Sequence, residues 1–183
     1  MPSVSTMIIL LFAIVVVAII AIFLVAQIGV IKQWSVSTVV RWEMVALFAV
    51  YIITLLVITI VAREAREEQP VYMIPFGDLY FIIKNRYPWY VDNIILLNAL
   101  NAALFIPYGF LAREVMRGKM LIPLLSSIAV SLVIEILQLI TKKGVFDIND
   151  IMYNTIGALI GCGLYALYKI ILRRLTSGRE NIV

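Results

Sequence analysis

The sequence predicts an all-α membrane protein, a bundle of about five transmembrane helices. Composition carries this first. The 183 residues are 63% hydrophobic and 14% charged, with a mean hydropathy of +1.05, whereas soluble domains are about 45–50% apolar and about 25% charged. Pattern carries it second. The apolar runs are long and continuous rather than alternating, which argues against a transmembrane barrel. Length carries it third. At about 20 residues per span, the chain accommodates about five helices with short links and leaves no room for a soluble domain.

Met7 to Ile31 is a 25-residue run without a charge. It is too long for the apolar core of a signal peptide and no basic segment precedes it, so it reads as a retained helix. Lys32 to Glu43 reads as a short link, with Trp34 and Trp42 at interface positions. Met44 to Ala62 is the second span. Its notable polar side chains are Thr54 and Thr59, which can bond back to the helix backbone.

Arg63 to Val91 is the longest loop. It opens on a charge run and turns aromatic, with Tyr72, Phe76, Tyr80, Phe81, Tyr87, Trp89 and Tyr90; Pro75 and Gly77 read as helix breakers in its middle. Such a loop belongs at the headgroup level, lying flat or dipping back as a re-entrant element between the second and third spans. Ile94 to Ala112 is the third span, with Asn98 and Asn101 near its start and Pro107 and Gly109 predicting a kink near its end. Leu121 to Ile140 is the fourth, carrying Ser126, Ser127, Ser131, Glu135 and Gln138. Ile151 to Leu172 is the fifth, and residues 173–183 form a polar tail.

Composition also excludes chemistry. There is no histidine, so His-based zinc or haem sites and a Ser-His-Asp triad are ruled out. The lone Cys162 permits no intramolecular disulfide and reads as a packing residue. A net charge of +4 on a membrane chain speaks to topology and anionic lipids, not to nucleic acid. Nine Lys and Arg lie on the side of the first link, third link and tail, against six on the other. The positive-inside rule then sets the N-terminus outside and the C-terminus inside.

The polar groups converge on one face. The 63–91 and 142–150 loops are two spans apart and share a side of the membrane. Asn98 and Asn101 follow one loop, Glu135 and Gln138 precede the other, and Asp147, Asp150 and Asn154 open the helix beyond it. At 1.5 Å per residue, three helices place these groups at similar depth, on the outer side by the charge count. The i,i+3 spacing of each pair sets it on one helix face. Asp147 and Asp150 also suit helix capping, and the amides suit interhelical hydrogen bonding. Glu135 is the least readily explained as scaffold, because a carboxylate within a span is costly; Lys142 or Lys143 offers it a reach-back ion pair. Gly157 and Gly161 form a GxxxG pattern that serves close packing within the bundle or a homodimer face.

Four segments in order resemble the VanZ-like family of bacterial membrane proteins: MIPFGDL at 73–79, NIILLNALNAALFIPYGFL at 93–111, EILQ at 135–138 and FDINDIMYNTIGALIG at 146–161. The resemblance covers about residues 44–172, leaving 1–43 as an extra N-terminal helix and link and 173–183 as the tail. It implies a multi-pass protein of the bacterial cytoplasmic membrane, accessory to glycopeptide (teicoplanin-type) resistance. It carries over Asn98, Asn101, Pro107, Gly109, Glu135, Gln138, Asp147, Asp150, Asn154 and Gly157 as the family's positions. Many members have an arginine just before the D-x-x-D element; here Lys142 and Lys143 stand nearest, and Lys lacks the bidentate fork of Arg.

The expectation that follows is a binding or accessory protein whose polar pocket, lined by these residues and Lys143, engages a glycopeptide or a lipid-linked cell-wall precursor at the outer leaflet. Two alternatives remain. Glu135, Asp147 and Asp150 would serve an enzyme acting on a polyprenyl-linked lipid, as acid and base or as oxygen ligands of Mg²⁺; no nucleophile motif or phosphate loop supports this, and no cofactor is implied. Glu135 would alternatively be the proton site of a lipid transporter or flippase, against which stands the absence of ionisable residues within the first two spans.

Overall fold

In the computed structural model, which describes residues 4–61, 63, 65, 67, 70–84, 88–117 and 119–180, the chain is helical throughout apart from one short strand pair. Five long helices are α1 (Val4–Ile31), α2 (Val36–Leu56), α4 (Pro88–Val115), α5 (Leu121–Ile140) and α6 (Ile148–Glu180), and α3 (Gly77–Lys84) is short. Four described stretches are long and apolar enough to cross a membrane: Val36–Ile60, Val91–Val115, Leu121–Ile140 and Ile148–Arg174. The part of α1 whose side chains are described, Val17–Ile31, is apolar as well.

Three boundaries differ from the expectation. The link after α1 is only a few residues long, because Ser35 caps α2 by accepting from the Thr38 N–H. Arg41 and Glu43, which resemble a link in sequence, sit in the first turns of α2. Trp34 and Trp42 stack there with ring centroids 6.2 Å apart. Second, the 63–91 loop is not helix-free. Gly77 opens α3, where a residue without a side chain is tolerated at the first position, and α4 begins already at Pro88. Tyr87, most of the preceding charge run and the side chains of Phe81, Trp89 and Tyr90 lie outside the described residues. Third, α2 ends in a π-helical turn, Val57–Val61. Helix α4 continues through Pro107.

The two polar loops are stitched together. Val71–Tyr72 (β1) pairs in parallel with Phe146–Asp147 (β2), Val71 opposite Phe146 and Tyr72 opposite Asp147. This is the shared face that span parity requires.

The centre of the bundle is the seam between α4 and α6. The two helices run parallel: Asn101 meets Asp150, Gly109 meets Ala158, and Glu114 meets Tyr165 and Lys169. A Cβ on Gly157 would overlap the Ala102 carbonyl, one on Gly161 the Ile106 carbonyl, and one on Gly109 the Ala158 carbonyl. Backbone therefore lies on backbone, the arrangement small residues permit in a membrane. The surface that Gly157 and Gly161 offered to a homodimer is occupied within the chain by α4, which leaves no room there for a second copy. Around the seam, Leu55, Phe105, Tyr108, Ala112 and Ile134 complete the buried core.

Candidate functional site

A carboxylate cluster is built at the face shared by the two loops. Helix α5 supplies its spine. Ser127, Ser131, Glu135 and Gln138 recur every three or four residues, so they share one face, and all four are buried. The helix ends in a Schellman arrangement: Lys143 N–H donates to Gln138 O (3.0 Å) and Lys142 N–H to Leu139 O (3.3 Å). Lys142 takes the left-handed position, with φ 57°. That reversal returns the chain over the end of α5 and delivers Asp147 to Glu135.

Asp147 is then held twice. Its N–H donates to Glu135 Oε2 (2.9 Å), and its Oδ1 accepts from the Asn149 N–H (2.8 Å) and Nδ2 (3.0 Å). The bond to the Asn149 N–H is an N-cap of α6, which begins one residue after Asp147. Asp150, in the first turn of α6, accepts from Asn101 Nδ2 of α4 (2.6 Å). Asn154, one turn deeper, donates to Ser131 Oγ (2.7 Å) one turn below Glu135. Gln138 Nε2 donates to Thr59 O (3.1 Å), a carbonyl of the π-helical turn.

The structure thus brings together Asn101, Glu135, Gln138, Asp147, Asp150 and Asn154, with Asn98 buried one turn from Asn101. Other expected contacts are absent. Among the described residues, neither Lys142 nor Lys143 forms an ion pair with Glu135; the Schellman reversal uses their backbone N–H groups instead. The cation whose charge faces Glu135 is Arg63, just beyond the π-helical turn. Pro107 is exposed, and Gly109 belongs to the α4–α6 seam. Nor do Glu135, Asp147 and Asp150 form a metal-holding group among the described residues. Each accepts an N–H hydrogen bond from within the protein.

Four contributors lie outside the set of pocket residues expected from sequence. Thr59 enters through its backbone carbonyl, which no side-chain pattern announces. Ser131 was legible as part of the α5 stripe but not as the partner of Asn154. Asn149 is 2% exposed, and its signal was only its place between two aspartates. Gly144 is buried because a Cβ there would meet Gln138 Oε1, Cβ and Cδ at 2.5–2.9 Å.

The polar line does not stop at mid-depth. Ser127 is fully buried, and Tyr108 OH donates to Ser126 Oγ (3.0 Å) towards the other end of α5. At that end a second polar group gathers on α4 and α6: Lys169 pairs with Glu114 (3.1 Å), Tyr165 OH donates to Glu114, and Arg113 donates to the Cys162 carbonyl. The dryness of the first two spans therefore does not extend to α4–α6. A surface groove of about 420 Å³ lies away from both groups, between α1 and α2 at Gly29, Trp34, Val39 and Glu43. None of the carboxylate cluster lines it.

The sequence model of the VanZ/LLP1 family matches residues 44–171, a stretch that contains every member of the carboxylate cluster. The chain belongs to that family. It is also similar to Protein VanZ of Enterococcus faecium, with 35% identity over 78 residues, covering 42% of this chain and 44% of that protein. The match spans less than half the length of that relative. No solved structure matches the chain significantly.

Proposed function

We propose that the chain is an accessory membrane protein of glycopeptide (teicoplanin-type) resistance. It sits in the bacterial cytoplasmic membrane with the carboxylate cluster facing outward, and binds the antibiotic or a lipid-linked cell-wall precursor there. Membership of the VanZ/LLP1 family supports the resistance role. The distribution of Lys and Arg, nine against six, supports the outward orientation. The observation that carries the binding reading is the assembly of Glu135 of α5, Asp147 of β2 and Asp150 of α6 at the two stitched loops. Capping and interhelical bonding explain parts of it, but packing alone does not call for a buried carboxylate on α5.

An alanine series over Glu135, Asp147, Asp150 and Asn154 tests this, scoring protein level and glycopeptide susceptibility together. The expected outcome is lost resistance at normal protein level for Glu135→Ala and Asp150→Ala. Resistance that falls only in step with protein level would reduce the cluster to scaffold.

The polar line through Ser131, Ser127 and Tyr108–Ser126 favours one second reading, a proton-coupled lipid transporter using Glu135. Its signature is pH-dependent flux in proteoliposomes that disappears in Glu135→Gln.

A further inference from the structure

The hydrogen-bond inventory of the cluster is lopsided. Four side-chain amides donate to protein acceptors: Asn101 to Asp150, Asn149 to Asp147, Asn154 to Ser131 and Gln138 to the Thr59 carbonyl. The backbone N–H groups of Asp147 and Asn149 are likewise engaged. Among the described residues, two buried side-chain oxygens, Gln138 Oε1 and Asn149 Oδ1, have no hydrogen-bond partner, on residues only 1% and 2% exposed.

The orientation of both amides is dictated by their partners. Thr59 offers Gln138 only a carbonyl, and Asp147 offers Asn149 a carboxylate, so in each case the NH₂ end must face the partner. The carbonyl end of each amide is thereby left without a donor, in a region that also holds Glu135, Asp147 and Asp150. An orphaned buried acceptor costs stability, and two on adjoining segments of one cluster invite a ligand that supplies donors. An anionic headgroup would add acceptors to acceptors. An ammonium group supplies three N–H donors and a positive charge in the volume of about one water.

We infer that the cluster capped by the Phe146–Asp150 segment is a receptor for a protonated primary amine. The inference rests on the binding reading above and narrows its ligand: the recognised group is an amine, not a phosphate or pyrophosphate. Such an amine has two sources at an outer leaflet, a glycopeptide with a free amino group or a lipid with an ethanolamine headgroup.

The test uses the full chain in phosphatidylcholine nanodiscs, whose headgroup has no N–H donor. One arm measures binding of a teicoplanin-type glycopeptide with its amine free and after N-acetylation. The other follows thermal stability as phosphatidylethanolamine or phosphatidylglycerol is added. A free-amine probe is expected to bind at least about tenfold more tightly than its acetylated form, the range for a charge-assisted bond to a buried acceptor. Asn149→Ala is expected to abolish that preference; it also removes the buried bond from Asn149 Nδ2 to Asp147, so protein level and melting temperature are read alongside, while the N–H that Asp147 caps remains. The acetylation arm needs no variant, so it decides the matter even if Asn149→Ala fails to accumulate. Glycopeptide binding indifferent to acetylation would overturn the amine and leave the resistance reading standing. Stabilisation by phosphatidylethanolamine without glycopeptide binding would do the reverse. Preference for phosphatidylglycerol, or no binding by any probe, overturns the receptor outright.

Discussion

At the residue scale, the turn after α5 contains two positions with opposite requirements. Lys142 adopts φ 57°, a conformation costing a residue with a Cβ about 1–2 kcal/mol. Lys142→Gly is therefore expected to stabilise the protein by about 1 kcal/mol, read as a rise in detergent melting temperature. Gly144, two residues on, has an ordinary φ and is glycine for a different reason: the Gln138 side chain fills the place of its Cβ. Gly144→Ala is expected to lower the melting temperature, since the added methyl must displace a side chain already anchored to Thr59. Equal effects of the two substitutions would show that the turn tolerates either residue and does not aim Asp147 at Glu135.

At the scale of elements, the α4–α6 seam is the part least able to change. Gly109, Gly157 and Gly161 each face a backbone carbonyl of the other helix, whereas a Cβ on Gly163 would meet nothing within 4 Å. Gly157→Ala is expected to cost at least about 1–3 kcal/mol and to reduce folded protein recovered from membranes; Gly163→Ala should match the parent. Elements also show what was legible beforehand. Leu121–Ile140 was plain, because a largely apolar run with a single charge, Glu135, lies between Lys119 and Lys142. The start of α2 at Val36 was not, because Arg41 and Glu43 are tolerated at a helix end and so mimic a link. Helix α3 hid behind Pro75 and Gly77, read as breakers when Gly77 is a first residue. In the site, i,i+3 spacing revealed which residues share a face, and depth revealed that three helices converge. Which amide would meet which acid was not legible. That depends on helix rotation, which sent Asn154 to Ser131 and Asn101 to Asp150.

At the scale of the whole molecule, the two polar groups lie at opposite ends of one pair of parallel helices. Asn101 and Asp150 mark one end, and Glu114, Tyr165 and Lys169 the other. Orientation then decides which group meets the cell exterior. In a Cys162→Ser background, Thr141→Cys is expected to react with a membrane-impermeant thiol reagent applied to intact cells, and Lys119→Cys only after permeabilisation. Both positions are exposed on the protein. The inverse pattern would place the carboxylate cluster on the cytoplasmic side and remove the antibiotic as its ligand.

The parallel pairing of α4 with α6 also constrains how the chain is made. Parallel neighbours cannot be joined by a short turn, so α5 has to cross back before α6 can enter. During synthesis α4 therefore emerges with its small-residue face bare, and Asn101 waits without Asp150. The seam closes only when Gly157 and Gly161 have left the ribosome. Until then the nascent protein carries polar side chains that have not met their partners, and such incompletely packed intermediates are the species most prone to misassembly. A substitution in α6 would then act first on the lifetime of the newborn chain, and pulse-chase labelling would register it before any assay of resistance did.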